Sequence, residues 1–453
     1  MSAQRLSRRE FLRLGALTAG TAALAACAAP APAPAPQPTQ AAPAAAPKAE
    51  PTKAPAPTSA PAAAAKGGTL RVYWHPAHHY ETYKQVATKF EADTGWKTNW
   101  ELYQWPDMRT KLLANFAAGD VPDLSEEPGN YAQEFGLSGN ALNITPFIQK
   151  SGKEMGYPDD WQEAAVKQYM VKGDHYGVKL HHTCTLLFYN MEMFDKAGIK
   201  PESLTSWEAF LDACKATAKG NVFGFAPNQS SGYTWPWLHQ NGQIPYDPVK
   251  NVVPLDNPDA YEAMQFQADL IHKHKVAPIP VTSADYEGPQ KLFSAKRSAI
   301  ILTGPWDVKP VLDSSPDLKW GMIQPLKRKV QATTGAGAGM FIPKAAKNPA
   351  AAFDFIKAVT TIEAEIAATK EANMLMPRKS WAANPEVMGL KYIAPFAQAL
   401  KLVVDTSALT LTGKSGEIGN LFNKMYEEVI YKNRPAEEAL KEYVAAANKV
   451  LAG

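Results

Sequence analysis

After residue 66 the sequence predicts an α/β fold built on a parallel, doubly wound sheet. A strand-helix-strand-helix-strand order opens this part, its helices close on glycine, and no internal repeat interrupts it. Size and composition agree. The chain has 453 residues, 45% hydrophobic and 20% charged, enough for two or three domains with large cores.

Thr69 to Trp74 alternates as a half-buried strand does. Glu81 to Asp93 places Tyr83, Val86, Ala87 and Phe90 at helical spacing and closes on Gly95. A second strand spans Thr98 to Tyr103. Asp107 is expected to cap a helix carrying Met108, Leu112 and Phe116, which Gly119 ends. Val121 to Leu124 starts a third strand. Further on, Thr185 to Tyr189 and Arg297 to Thr303 read as strands. Ser206 to Lys219, Asp259 to Lys273, Asn348 to Thr361 and Pro435 to Leu451 read as helices, with Pro435 suited to a first turn.

Residues 1–66 read as export and tether. Ser7-Arg8-Arg9-Glu10-Phe11-Leu12 precedes an apolar run from Leu14 to Ala26, too short for an ordinary spanning helix. The arginine pair resembles a twin-arginine export signal, and Leu24-Ala25-Ala26-Cys27 resembles a bacterial lipobox. That likeness implies cleavage after residue 26 and lipidation of Cys27. Residues 27–66 are then a disordered Ala/Pro-rich tether, holding 11 of the 37 prolines. Alternating Ala-Pro favours polyproline II and buries no core.

The remaining counts exclude whole classes. Three cysteines exclude a disulfide scaffold or a multi-cysteine zinc module. The net charge of +3 is too small for a nucleic-acid binder. Arg5, Arg8, Arg9 and Arg13 against Glu10 account for all of it, so the mature chain is formally neutral. Cys184 and Cys214 pair in an oxidising compartment or stay as buried thiols. Gly-x-Ser-x-Gly, His-Glu-x-x-His and Ser-x-x-Lys signatures are missing, so no enzyme is expected.

Several segments, in order, resemble extracellular solute-binding protein family 1 of ABC importers, which includes maltose-binding protein. Phe116-Ala117-Ala118-Gly119-Asp120-Val121-Pro122-Asp123 is similar to the family's F-x-A-G-x-x-P-D step. Leu142 to Phe147, Tyr176-Gly177-Val178, Leu187 to Phe194 and Thr205 to Phe210 follow. Ser298 to Trp306, Gly335 to Ile342 and Met376 to Ser380 complete the series. The resemblance implies a type II periplasmic-binding-protein-like fold: two discontinuous α/β lobes around a ligand cleft with a hinge. The expected first lobe is 67–180 plus 300–333, and the second is 181–299 plus 334–453. Crossings are expected near Tyr176 to His181, Ile300 to Gly304 and Thr333 to Gly337. A monomeric lipoprotein capturing a sugar or oligosaccharide and delivering it to a membrane permease is implied. It would be anchored outside the cytoplasm, with neither cofactor nor nucleic acid.

Sugars offer apolar ring faces and hydroxyl edges, so a sugar cleft combines aromatic platforms with polar side chains. Among 11 tryptophans, Trp74, Trp235, Trp237 and Trp306 fall at strand ends or in loops, where open α/β sheets bind ligands. Trp306 also matches the family's stacking position. One of Glu126 and Glu127 is expected to bind hydroxyls, as a matching family position does. Tyr103, Gln104, Asn130 and Tyr131 occupy neighbouring strand ends, and Asp307 adjoins Trp306. Arg378 lies where the family's tail returns to the cleft, or is a surface arginine. Gly337 belongs to a glycine-rich crossing. That run lacks the Gly-Lys-Ser/Thr ending of a phosphate loop.

One departure concerns ligand charge. Where the family has Pro after Tyr-Gly-Leu, this chain reads Val178-Lys179-Leu180-His181-His182. Those basic groups either select an acidic or phosphorylated sugar, or are structural. His75, His78 and His79 follow the first strand, but without a His-x-x-x-His pair on a helix no metal is expected. A polysaccharide-active exported enzyme and a surface sensor are the other readings.

Overall fold

The computed structural model describes residues 67–281 and 287–453; the signal, Cys27 and the tether lie outside them. The first sheet has the order β2-β1-β3-β13-β6. Its strands are β1 (Gly68–Trp74), β2 (Trp96–Leu102), β3 (Leu124–Glu127), β13 (Gly339–Phe341) and β6 (Val178–Lys179). β1 lies parallel to β2 and β3, as predicted, but β13 and β6 join antiparallel, so the sheet is mixed. β4 (Met170–Val171) and β5 (Asp174–His175) make a separate hairpin.

Period-two alternation builds the layers around this sheet. Leu70, Val72 and Trp74 point to one face, into a core shared with Phe90, Phe355 and Ile356. Helices Glu81–Thr94 and Pro349–Val359 cover that face, where Phe90 meets Phe355 at 5.2 Å. Tyr73 points to the other face, toward Met108, Leu112, Phe135 and Phe341. Gly95 and Gly119 close their helices in the left-handed region, at φ 78° and 70°.

Two expected starts shift. The second helix begins at Trp105, with Gln104 at the N-cap position but without a side-chain cap, because Pro106 suits its first turn and leaves Asp107 inside that turn. β3 begins at Leu124 and runs through Glu126 and Glu127. Pro122 has no N–H to pair, and the Asp123 carboxylate instead accepts the Arg71 and Asn348 N–H groups at 2.9 and 3.0 Å.

The second sheet has the order β11-β8-β10-β9: β8 is Leu186–Asn190, β9 Phe223–Ala226, β10 Ser298–Thr303 and β11 Trp320–Ile323. Its core gathers Trp207, Phe210, Phe225, Trp237 and Met264 with the closing helices Ser415–Ile430 and Ala436–Ala452.

Strand pairing corrects the lobe boundaries. β10 and β11 both pair with β8, so the strands within 300–323 belong to the second lobe's sheet, not the first's. β13 and the helices at 349–372 return to the first lobe. The crossings near 178–185 and 333–340 are antiparallel partners: β7 (Thr183–Cys184) pairs with β12 (Thr333–Ala336). The third crossing is not at 300–304. It is β14 (Val403–Val404), which lies parallel to β12 and leads into the closing helices. Cys184 and Cys214 are both buried free thiols. No helix among the described residues is long and apolar enough to cross a membrane.

Candidate functional site

The C-terminal ends of β1 and β3 meet the first crossing in a buried polar cluster. After Trp74 the chain turns through Pro76–His78, and His75 Nδ1 accepts the Ala77 N–H at 3.3 Å. Nδ1 being an acceptor, Nε2–H donates to Gln104 Oε1 at 2.7 Å, and the ring stacks on Trp105 at 4.3 Å. Glu126 is fully buried. Its Oε2 accepts the His75 N–H at 2.7 Å, and its Oε1 lies 2.6 Å from His78 Nδ1. The His181 ring meets His78 edge-on at 4.7 Å, with Nε2 3.2 Å from the Tyr83 hydroxyl. Burial, then the neighbouring His78, pushes His75 down to about 3 and His181 well below the ordinary imidazole range. These rings are neutral at physiological pH.

Glu127 anchors a second group. Its Oε2 accepts the N–H groups of Gly129 and Tyr131 at 2.8 and 2.7 Å, and the Tyr169 hydroxyl donates to Oε1. Lys179 donates to Gln168 Oε1 at 2.7 Å, and Gln168 donates on to the Gly129 carbonyl at 2.6 Å. Burial lowers Lys179 to about 8, against the attraction of Glu127. Burial raises Glu127 despite bonds from Tyr169 and the attraction of Lys179. The two charges offset each other.

Gly337 sits opposite, at φ 117°; a Cβ there would lie 2.0 Å from the His181 carbonyl oxygen. A Cβ on Gly339 would strike the Tyr169 hydroxyl at 1.8 Å. Gly337 lets the two crossings touch backbone to backbone, and Gly339 makes room for the Tyr169 side chain, so the glycine run closes on protein groups.

The second lobe contributes the end of β10. The half-buried Trp306 indole folds over Gly304, where a Cβ would come within 2.2 Å of the ring. The Tyr233 hydroxyl lies near Thr303 and the Trp306 indole. Thr303 donates to Asp307 Oδ2 at 2.5 Å, and burial raises that carboxyl to about 7.

Several expected ligand residues have structural duties. Trp74 is fully buried; its indole N–H donates to the His78 carbonyl at 3.0 Å, and Tyr83 and Trp100 pack on it edge-on. Trp237 is buried between Trp207, Phe210 and Phe225. Trp235 stacks on Phe422 at 4.7 Å and lies against His239. Arg378 is neither a surface residue nor at this cluster. It is buried over Trp161 at 4.0 Å, binding the Thr360 carbonyl and Asp160. Tyr103 donates to Glu101 at 2.8 Å, toward Arg71. Asn130 begins helix Tyr131–Leu137, and the Tyr131 hydroxyl donates to the Trp105 carbonyl at 3.2 Å.

The structure thus brings together Glu126, Glu127, Gln104, His181 and Gly337 in one lobe, and Trp306 with Asp307 in the other. His75, His78, Trp105, Gln168 and Tyr169 join the first group and Tyr233 the second. None of these six was expected as a ligand residue. The histidines after the first strand were one local signal, and the Trp105-Pro106 pair after Gln104 was another, since a proline-started helix places Trp105 at a strand end.

Two lobes joined by three crossing strands, with polar strand ends at the crossing, define a hinged receptor for small solutes. The chain belongs to the bacterial extracellular solute-binding proteins: the family model matches residues 85–391. It is 26% identical over 306 residues to the arabinooligosaccharide-binding protein of Bacillus subtilis strain 168, spanning 64% of this chain and 69% of that one. An ABC transporter solute-binding protein of Thermotoga lettingae, bound with α-D-tagatose, superposes with a TM-score of 0.77. It shows 21% identity, covering 84% of this chain and 99% of that one. An ABC substrate-binding protein of Listeria monocytogenes, in complex with cycloalternan, gives 0.74 at 21% identity, covering 85% and 99%. The fold is therefore the type II binding-protein fold. The family and these relatives are binding proteins rather than enzymes, and the family is extracytoplasmic.

Proposed function

We propose that this chain captures a neutral sugar or short oligosaccharide and hands it to an ABC permease, without turning it over. The observation that carries this reading is the half-buried Trp306 at the end of β10, with Tyr233 nearby and Asp307 beside it. An aromatic face beside hydroxyl-binding groups is what a pyranose or furanose needs. The relatives' names support the substrate class, since an arabinooligosaccharide-binding protein and a lactose-binding protein are among them. Against an anionic ligand stands the charge balance at the crossing. Lys179 feels the attraction of Glu127 and donates to Gln168, and His181 and His182 are pushed below the physiological range by burial.

Cys27 is the proposed lipid anchor, and the tether lifts the receptor from the membrane. Closure about the crossings grips the ligand, and the closed form docks on the permease.

A thermal-shift and calorimetric screen of the full chain against neutral saccharides, acidic sugars and glycerophosphates tests this. We expect a neutral saccharide to raise the midpoint, and Trp306→Ala to weaken that binding by about tenfold or more, the worth of a stacked aromatic. A shift with glycerophosphates alone would sink the substrate class. Unaltered saccharide binding by Trp306→Ala would remove the stacking role. Product release would restore the enzyme reading.

A further inference from the structure

We propose that His78, Glu126 and His181 form a binding site for a divalent transition metal ion, with zinc the best match. One ligand atom from each lies within 4.8 Å of the other two, and all three residues are buried. They come from separate segments: the turn after β1, the end of β3 and the first crossing. Two imidazoles and one carboxylate make a donor set that zinc takes at about 2.0–2.2 Å, with a fourth position left open. Oxygen-seeking calcium or magnesium would want more carboxylates.

A second observation points the same way. His181 Nδ1 is buried and has no hydrogen-bond partner in the structure. Its other nitrogen faces the Tyr83 hydroxyl at 3.2 Å. With Nε2–H donating to Tyr83, Nδ1 carries a bare lone pair. A buried acceptor left without a donor is destabilising. A cation would satisfy it and would also balance the buried Glu126 carboxylate.

The surroundings hold the ligands as metal sites require. The Tyr83 hydroxyl fixes the His181 ring, and the His75 N–H holds Glu126 Oε2, leaving Oε1 toward His78. The other nearby imidazoles stand outside the set. Both His75 nitrogens are engaged, by Ala77 and Gln104, and His79 lies against Trp100. Because His181 belongs to the crossing, the ion would tie that crossing to the first lobe. The site does not rest on the saccharide reading.

The test uses the full chain, stripped with a chelator and titrated with Zn²⁺ and Co²⁺ by calorimetry and visible absorption. We expect uptake of one ion and a tetrahedral Co²⁺ spectrum. His78→Gln, Glu126→Gln and His181→Asn should each weaken it by at least about 10–100-fold, the loss typical of even outer partners of a metal. Circular dichroism checks that each variant is folded; should His181→Asn fail to fold, Glu126→Gln decides. Absence of uptake by the wild-type chain, or equal uptake by the folded variants, overturns the site. Saccharide binding by the chelated chain, measured in parallel, reports on the sugar reading separately.

Discussion

Asp307 shows how burial turns a common side chain into a titrating one. Its carboxyl rises from 3.8 to about 7, chiefly through burial and against the Thr303 hydrogen bond. The folded chain therefore holds a proton that the unfolded chain releases between about pH 4 and 7. The stabilisation is fully present below that window and is lost as pH rises through 7. Urea titrations at several pH values should show stability falling across the window in the wild type and a flatter profile in Asp307→Asn. Parallel profiles would contradict the shift. Lys179 runs the other way: lowered to about 8, it favours the folded state increasingly as pH climbs from 8 toward 10.5. Trp306 and Asp307 were legible in the sequence because they follow a buried strand, Ser298 to Thr303, and strand ends bind ligands. Their neighbour Tyr233 was not, because it lies 73 residues before Trp306 in a serine- and glycine-containing turn.

At the scale of elements, the crossings depend on glycine. Gly337 combines φ 117° with a Cβ position 2.0 Å from the His181 carbonyl oxygen. Gly119 has φ 70° and nothing within 4 Å of its Cβ position. Gly119→Ala should cost roughly 1 kcal/mol, the backbone penalty alone. Gly337→Ala should cost that plus displacement of the crossing, about 3 kcal/mol or more. Chemical denaturation of both variants gives the comparison, and equal losses would show that the close approach carries no energy. Composition marked this run as a place for backbone contact. Only the β7–β12 register reveals that the contact is with His181.

At the scale of the whole molecule, the anchor proposed at Cys27 can be tested directly. Cys27→Ser should leave the chain in the soluble fraction after cell breakage, whereas the wild type should sediment with membranes. Retention of the variant in membranes would rule out Cys27 as the anchor.

The sequence by itself determined the α/β class, the family resemblance and most element positions, because these depend on local periodicity, caps and ordered motifs. It also marked Glu126, Glu127, His181 and Trp306 as site residues. Tertiary structure alone decided the lobe boundaries, since β10 and β11 are told from first-lobe strands only by pairing with β8. It likewise sent Trp74, Trp237 and Arg378 inward. Whether a tryptophan at a strand end is a platform or a packing residue depends on what the rest of the chain lays over it, and no local pattern records that.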